Sequence, residues 1–226
     1  MSVSSPAVER VPLVELRTRA GLCCLVGGAV ALFLGRLTTT PGGTPHERLE
    51  QMSGHDVSIT VSALLVVVGF AALMAGLLTV AAEVRGRGSA AATVGGGLTV
   101  ACGIGFAVLA SVDLVTLAAT HVQPADAMAA FLAELDHSPG ILVVTVAAMV
   151  GYLVGPFLVA LAVARAGAAA RWLPWAVLLV LVLQPVAAGA GGPAVARTVD
   201  AVVQLALVAL MVLLARSTLT LHRRSA

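Results

Sequence analysis

The chain has 226 residues, of which 59% are hydrophobic even before its 23 glycines are counted, and 11% are charged, for a net charge of +2. A soluble domain carries roughly 25% charged residues, enough to give it a polar skin. This composition cannot supply one, which excludes a soluble enzyme, a nucleic-acid binder and a disordered chain and leaves a polytopic membrane protein.

A helix needs about 20 apolar residues to cross the hydrocarbon core. In chain order, the runs that reach or approach this length are residues 20–37, 57–82, 90–120, 141–164, 172–191 and 198–215. Strands of a membrane barrel would alternate apolar and polar residues, and the unbroken Leu64-Leu65-Val66-Val67-Val68 does not. The predicted fold is therefore all-α. It is a polytopic membrane helix bundle with six transmembrane helices over 20–215, between an N-terminal segment 1–19 and a tail 216–226. The first run follows Arg17 and Arg19 as a signal peptide would, but its small residues lie within the run, so it reads as a retained span. In the connection 38–56, Thr44-Pro45-His46-Glu47 has the form of a capping box, which predicts a short helix over 45–52. Gln123-Pro124 likewise opens a short amphipathic helix to about Asp136, with Met128, Phe131, Leu132 and Leu135 on one stripe. It should lie on the outer surface or cap the bundle. Pro156, Pro174 and Pro185 should kink or begin helices.

All 13 basic residues are arginine, and with the Ala, Val, Gly and Leu richness this suggests a GC-rich bacterial genome. Ten arginines fall in the N-terminal segment, the connections 83–89 and 165–171, and the tail; only Arg36, Arg48 and Arg197 fall on the other side. The positive-inside rule then puts both termini in the cytoplasm of a plasma-membrane protein, which requires an even number of spans. With the carboxylates included, the inner side carries +7 (ten Arg against three acids) and the outer side −5 (three Arg against eight acids).

Small residues recur every four positions at Gly27, Ala31 and Gly35, at Gly97, Ala101 and Gly105, and at Ala147, Gly151 and Gly155. Such faces let helices approach closely, within the bundle or between copies of a homo-oligomer. Gly95-Gly96-Gly97 is no phosphate loop, since no Lys-Ser/Thr follows and no strand precedes it. Cys23, Cys24 and Cys102 lie in apolar runs and read as small apolar fillers.

An ionisable group inside a span is a candidate site by default. Asp113 and Asp200 qualify, both near the outer boundary, and Gln184 and Gln204 lie in the outer halves of the last two spans. Asp200 and Gln204 are four apart and share a face, and Asp200 should pair with Arg197 or face the interior. These four polar residues form one candidate cluster. The middle of the membrane holds only Ser, Thr, Cys and Tyr152, which argues against a proton relay across it. His55, His121 and His137 stand at the outer ends of neighbouring spans, each near a carboxylate, as ligands of a divalent metal such as zinc would. Neither an HExxH motif nor a GxSxG elbow occurs, and no mid-span His could ligate a haem.

Arg17-Thr18-Arg19-Ala20-Gly21 before the first span, the Pro-containing outer connection, and Gly151-Tyr152-Leu153-Val154-Gly155-Pro156 followed by a short connection and Trp172 resemble uncharacterised six-span integral membrane proteins of actinobacteria. The resemblance spans most of the chain and implies no chemistry, so no functional residue is carried over. The expected function is a non-enzymatic accessory, envelope or small-carrier protein. The alternative is an outer-face metal-dependent hydrolase or metal sensor. The bilayer is the expected partner, with a second copy of the chain through the small-residue faces, and no nucleic acid.

Overall fold

The computed structural model describes residues 10–38, 56–120, 122–189 and 193–225; within these, side chains are described for 15–37, 56–112, 114–119, 122–124, 126–135, 137–184 and 198–223. The described residues form α1 (Arg10–Thr38), α2 (Asp56–Glu83), α3 (Ser89–Thr120), α4 (Ala125–Asp136), α5 (Pro139–Arg165), α6 (Leu173–Gly189) and α7 (Pro193–Ser225), with no strand among them. The segment expected over 45–52 lies outside the described residues.

Local sequence explains the helix ends. Pro124 and Pro139 sit where their missing N–H is no loss, and Met128 and Leu142 donate back to Pro124 and Ser138 at 3.1 and 3.0 Å. α5 stops at Gly167, whose φ of 76° suits glycine. Gly167 donates to Ala164, and Ala168 reaches back to Val163 at 3.2 Å, a Schellman closure that satisfies two end carbonyls.

Segments of α1, α2, α3, α5 and α7 are each long and apolar enough to cross a membrane, while α6 is shorter and apolar over Leu173–Gln184. These helices are apolar all round. Leu64, Val68, Ile104, Leu142, Val143, Leu179 and Leu205 all point outward. So much apolar surface is tolerable only where lipid is the solvent, and the chain is a membrane-embedded helical bundle.

The helices run up and down. One end of the bundle, the basic end, gathers the start of α1, both short connections (84–88 and 166–172) and the end of α7, with Arg17, Arg19, Arg85, Arg87, Arg165, Arg171, Arg216 and Arg223 all exposed. Asp56, Asp126 and Glu134 mark the opposite, acidic end.

Two glycine seams hold the bundle together. In the first, α1 meets α2 through Gly21, Gly28 and Gly35, and α2 answers with Gly69 and Gly76. A Cβ on Gly28 would strike the backbone N of Leu73 and stand 2.7 Å from the Gly69 carbonyl oxygen. Near the acidic end, the buried Ser62 hydroxyl donates to the Gly35 carbonyl at 2.8 Å. In the second seam, α3 meets α5: Gly151 lies against Leu98 and Cys102, Gly155 against Thr99, and Gly105 against Ala148.

The seams differ from the expected faces. Gly27 and Gly97 are exposed with open space beside them, and Ala101 and Ala147 are exposed as well. The reason is helical phase. Steps of four drift by roughly 40° each, so Gly27 and Gly35 stand roughly 80° apart, whereas steps of seven drift by only about 20°. Gly21, Gly28 and Gly35 therefore stay on one line over the length of a span. Between the seams, Phe70 and Phe106 stack at 4.3 Å, and Tyr152 packs edge-on against both.

α4 packs on α3 and α5 near the acidic end. Met128, Ala129 and Leu132 are buried, packed against Ala119. Phe131 and Leu135, expected on the same stripe, instead wall a sideways-opening apolar groove of about 500 Å³ against Ile104, Val108 and Val115 of α3.

Candidate functional site

The buried stripe of α6 runs Val177, Leu181, Gln184, and that of α7 runs Leu214, Met211, Leu207, Gln204. Toward the basic end the α7 stripe continues with Thr218, whose hydroxyl is satisfied by the Leu214 carbonyl, while toward the acidic end both stripes reach a glutamine. Gln184 and Gln204 keep the core register, only 5% and 3% exposed. The Gln184 Nε2 and the Gln204 Oε1 have no hydrogen-bond partner among the described residues. In a low-dielectric interior each orphaned group costs about 1–3 kcal/mol. One turn from Gln204, Asp200 is half-buried and makes no hydrogen bond or ion pair among the described residues. The expected pairing with Arg197 lies outside the described residues.

Measured from the acidic ends of their helices, Gln184 stands about 8 Å in, Asp200 about 10 Å and Gln204 about 17 Å, at 1.5 Å per residue. The hairpin thus presents an amide donor, a carboxylate and an amide acceptor to the bundle interior. Asp113, the fourth member of the predicted cluster, belongs to α3, which packs against α2, α4 and α5. Its side chain lies outside the described residues. The fold brings Gln184, Asp200 and Gln204 onto one hairpin and carries Asp113 on a different one.

Of the predicted metal ligands, His55 and His121 lie outside the described residues. His137 is exposed, and its Nδ1 is 2.6 Å from the Ala133 carbonyl oxygen, one turn back on α4. Among the described residues no three His, Cys, Asp or Glu side chains gather as metal ligands would.

At the basic end lies a polar cluster that the sequence reading did not single out. The Thr18 hydroxyl donates to Glu83 Oε1 at 2.7 Å, and His222 Nδ1 lies 3.1 Å from Glu83 Oε2. These contacts join α1, α2 and α7, with Thr18 only 2% exposed. α2 has 28 residues, about 42 Å against a hydrocarbon core of about 30 Å, so its last residue, Glu83, stands outside the core. Burial pushes the Glu83 carboxyl up, but the Thr18 and His222 hydrogen bonds and the charges of His222 and Arg85 outweigh it and hold the carboxyl below its ordinary value. The sequence separations are 65 and 139 residues, so no local pattern announces the cluster. The one available signal is that His222 is the single histidine on the arginine-rich side.

No protein-family model matches the chain, and no curated protein or solved structure shows significant similarity to it.

Proposed function

We propose that the chain is a six-span plasma-membrane protein with both termini in the cytoplasm, and that it is a non-enzymatic small-solute carrier or solute-holding accessory protein. Its site is the α6–α7 hairpin face of Gln184, Asp200 and Gln204. The observation that carries this reading is the pair of buried amide atoms, Gln184 Nε2 and Gln204 Oε1, that have no hydrogen-bond partner among the described residues, with the Asp200 carboxylate one turn from Gln204. Polar groups this deep in a membrane bundle are costly and serve a site by default. A small solute with both donor and acceptor groups would satisfy all three. Six spans are supported by the Thr18–Glu83–His222 cluster: it joins the start of α1 to the end of α7 at one end of the bundle, as an even number of crossings requires.

The site makes a prediction of opposite signs. Gln204→Leu removes an unsatisfied buried atom, so it should raise stability by about 1–2 kcal/mol in detergent unfolding. The same substitution, like Asp200→Asn, should cut uptake at least ten-fold in proteoliposomes screened with labelled amino acids, amines and polyols. A destabilised Gln204→Leu variant would mean that the amide already has a structural partner, and the site would fall. Sidedness has its own test. In a Cys-free background, an impermeant maleimide on intact cells should label a cysteine at Gln123 and leave those at Ala168 and Thr220 untouched. Equal labelling at Gln123 and Ala168 would refute the topology.

A further inference from the structure

The basic end has a feature that the positive-inside rule does not require. That rule needs arginines in each short connection, but it does not need the connections to touch. Here they do. A Cβ on Gly88 would stand 2.8 Å from the Ala162 carbonyl oxygen, so the α2–α3 connection is packed against the last turn of α5. Arg87 adjoins Gly88, and Arg165 follows Ala162 by three residues. Both connections hold a fixed shape: Gly86 and Gly88 have φ of 70° and 103°, and the Schellman closure at Gly167 sets the path from Arg165 toward Arg171. Arg85, Arg87, Arg165 and Arg171 are all exposed, and none makes a hydrogen bond or ion pair among the described residues. The carboxylate of this corner, Glu83, is already taken by Thr18 and His222. No Asp or Glu occurs anywhere from residue 137 to 199.

Directly beyond Arg171 the surface becomes aromatic and then aliphatic. Trp172 and Trp175 are 56% and 61% exposed, and Leu179 and Leu183 continue the same face of α6. Phe157 packs on Trp175 with ring centroids 5.3 Å apart, which holds that indole in place. Exposed guanidiniums on this end of the bundle, next to two exposed tryptophans and an apolar track, suit one kind of ligand in shape and charge. The phosphate of an anionic phospholipid accepts from the guanidinium forks, and its acyl chain follows the track.

We propose that the α2–α3 and α5–α6 connections together form a binding site for the headgroup of an anionic phospholipid, with an acyl chain along Trp172, Trp175 and Leu179. The site needs only that the bundle lie in a bilayer; that the lipid belongs to the inner leaflet follows from the orientation proposed above.

The test uses the full chain purified in neutral detergent. Retained lipid is counted by native mass spectrometry, and thermal unfolding is followed with added phosphatidylglycerol or phosphatidylcholine. Phosphatidylglycerol should be retained at least five-fold over phosphatidylcholine and should raise the unfolding temperature. R85Q/R87Q and R165Q/R171Q should each reduce that retention at least five-fold, with unfolding in phosphatidylcholine unchanged. R216Q/R223Q removes the same charge from the same end but from α7, and should retain phosphatidylglycerol as the wild type does. Equal retention of the two lipids would overturn the proposal. So would equal loss in R216Q/R223Q, which would leave only diffuse charge, or loop variants that unfold early in phosphatidylcholine. Stabilisation by inorganic phosphate or by polyglutamate as strong as that by phosphatidylglycerol would assign the corner to a free anion or an acidic protein, and would overturn it equally.

Discussion

Gly28→Ala should destabilise the protein by about 1–3 kcal/mol or prevent α1 from docking, while Gly27→Ala, one residue away, should be neutral or slightly stabilising. At position 28 the new methyl would run into the backbone of Leu73 and Gly69. Backbone cannot rotate aside as a side-chain tip can, so the two helices would have to separate along their whole seam. Apolar contacts drive little association between helices in lipid, because the tails are as apolar as leucine, and close packing is what remains. At position 27 nothing lies within 4 Å, so the methyl meets only lipid and improves helix propensity. The second seam repeats the contrast: Gly151→Ala should harm the α3–α5 packing, and Gly97→Ala should not. Reversible unfolding in mixed micelles measures all four. Equal effects at Gly27 and Gly28 would mean that the seam runs along a different face.

Glu83→Ala should cost about 1–3 kcal/mol, because it leaves the buried Thr18 hydroxyl without its acceptor and His222 without its carboxylate. Glu83→Gln should cost less, since an amide oxygen still accepts from Thr18. The pH dependence has a definite sign. The Glu83 carboxyl is held below its ordinary value of 4.5, so its contribution is complete above that value and is lost as pH falls through the lower folded value. The stability gap between wild type and Glu83→Gln should therefore close as pH falls from about 4.5 through the lower folded value. Unfolding curves of both proteins across that range decide it. A gap that widens as pH falls below about 4.5 would show that the carboxyl is not stabilised in its charged form.

Much of the architecture was legible in the sequence because it depends on local quantities. Span lengths follow from the thickness of hydrocarbon. The starts of α4 and α5 follow from Pro124 and Pro139, and the stop of α5 from Gly167. The candidate site was half legible. Gln184, Asp200 and Gln204 stand out because polar residues are rare in apolar runs, and Asp200 and Gln204 share a face by their spacing alone. That Asp113 rides on a helix of a different pair depends on which helices touch.

By itself, the sequence determined that this chain is an all-helical membrane protein and that its charges are sorted between two ends. Lipid selects for composition and length, and these can be counted along the chain. Which face of each helix turns inward was decided only by the tertiary structure. In a helix that is apolar all round, the hydrophobic pattern names no inner face, so Gly27 and Gly28 look alike until a partner arrives. Steric fit between backbones chose Gly28. The same docking drew Thr18, Glu83 and His222 together from three distant stretches of chain, and laid the α2–α3 connection against the end of α5.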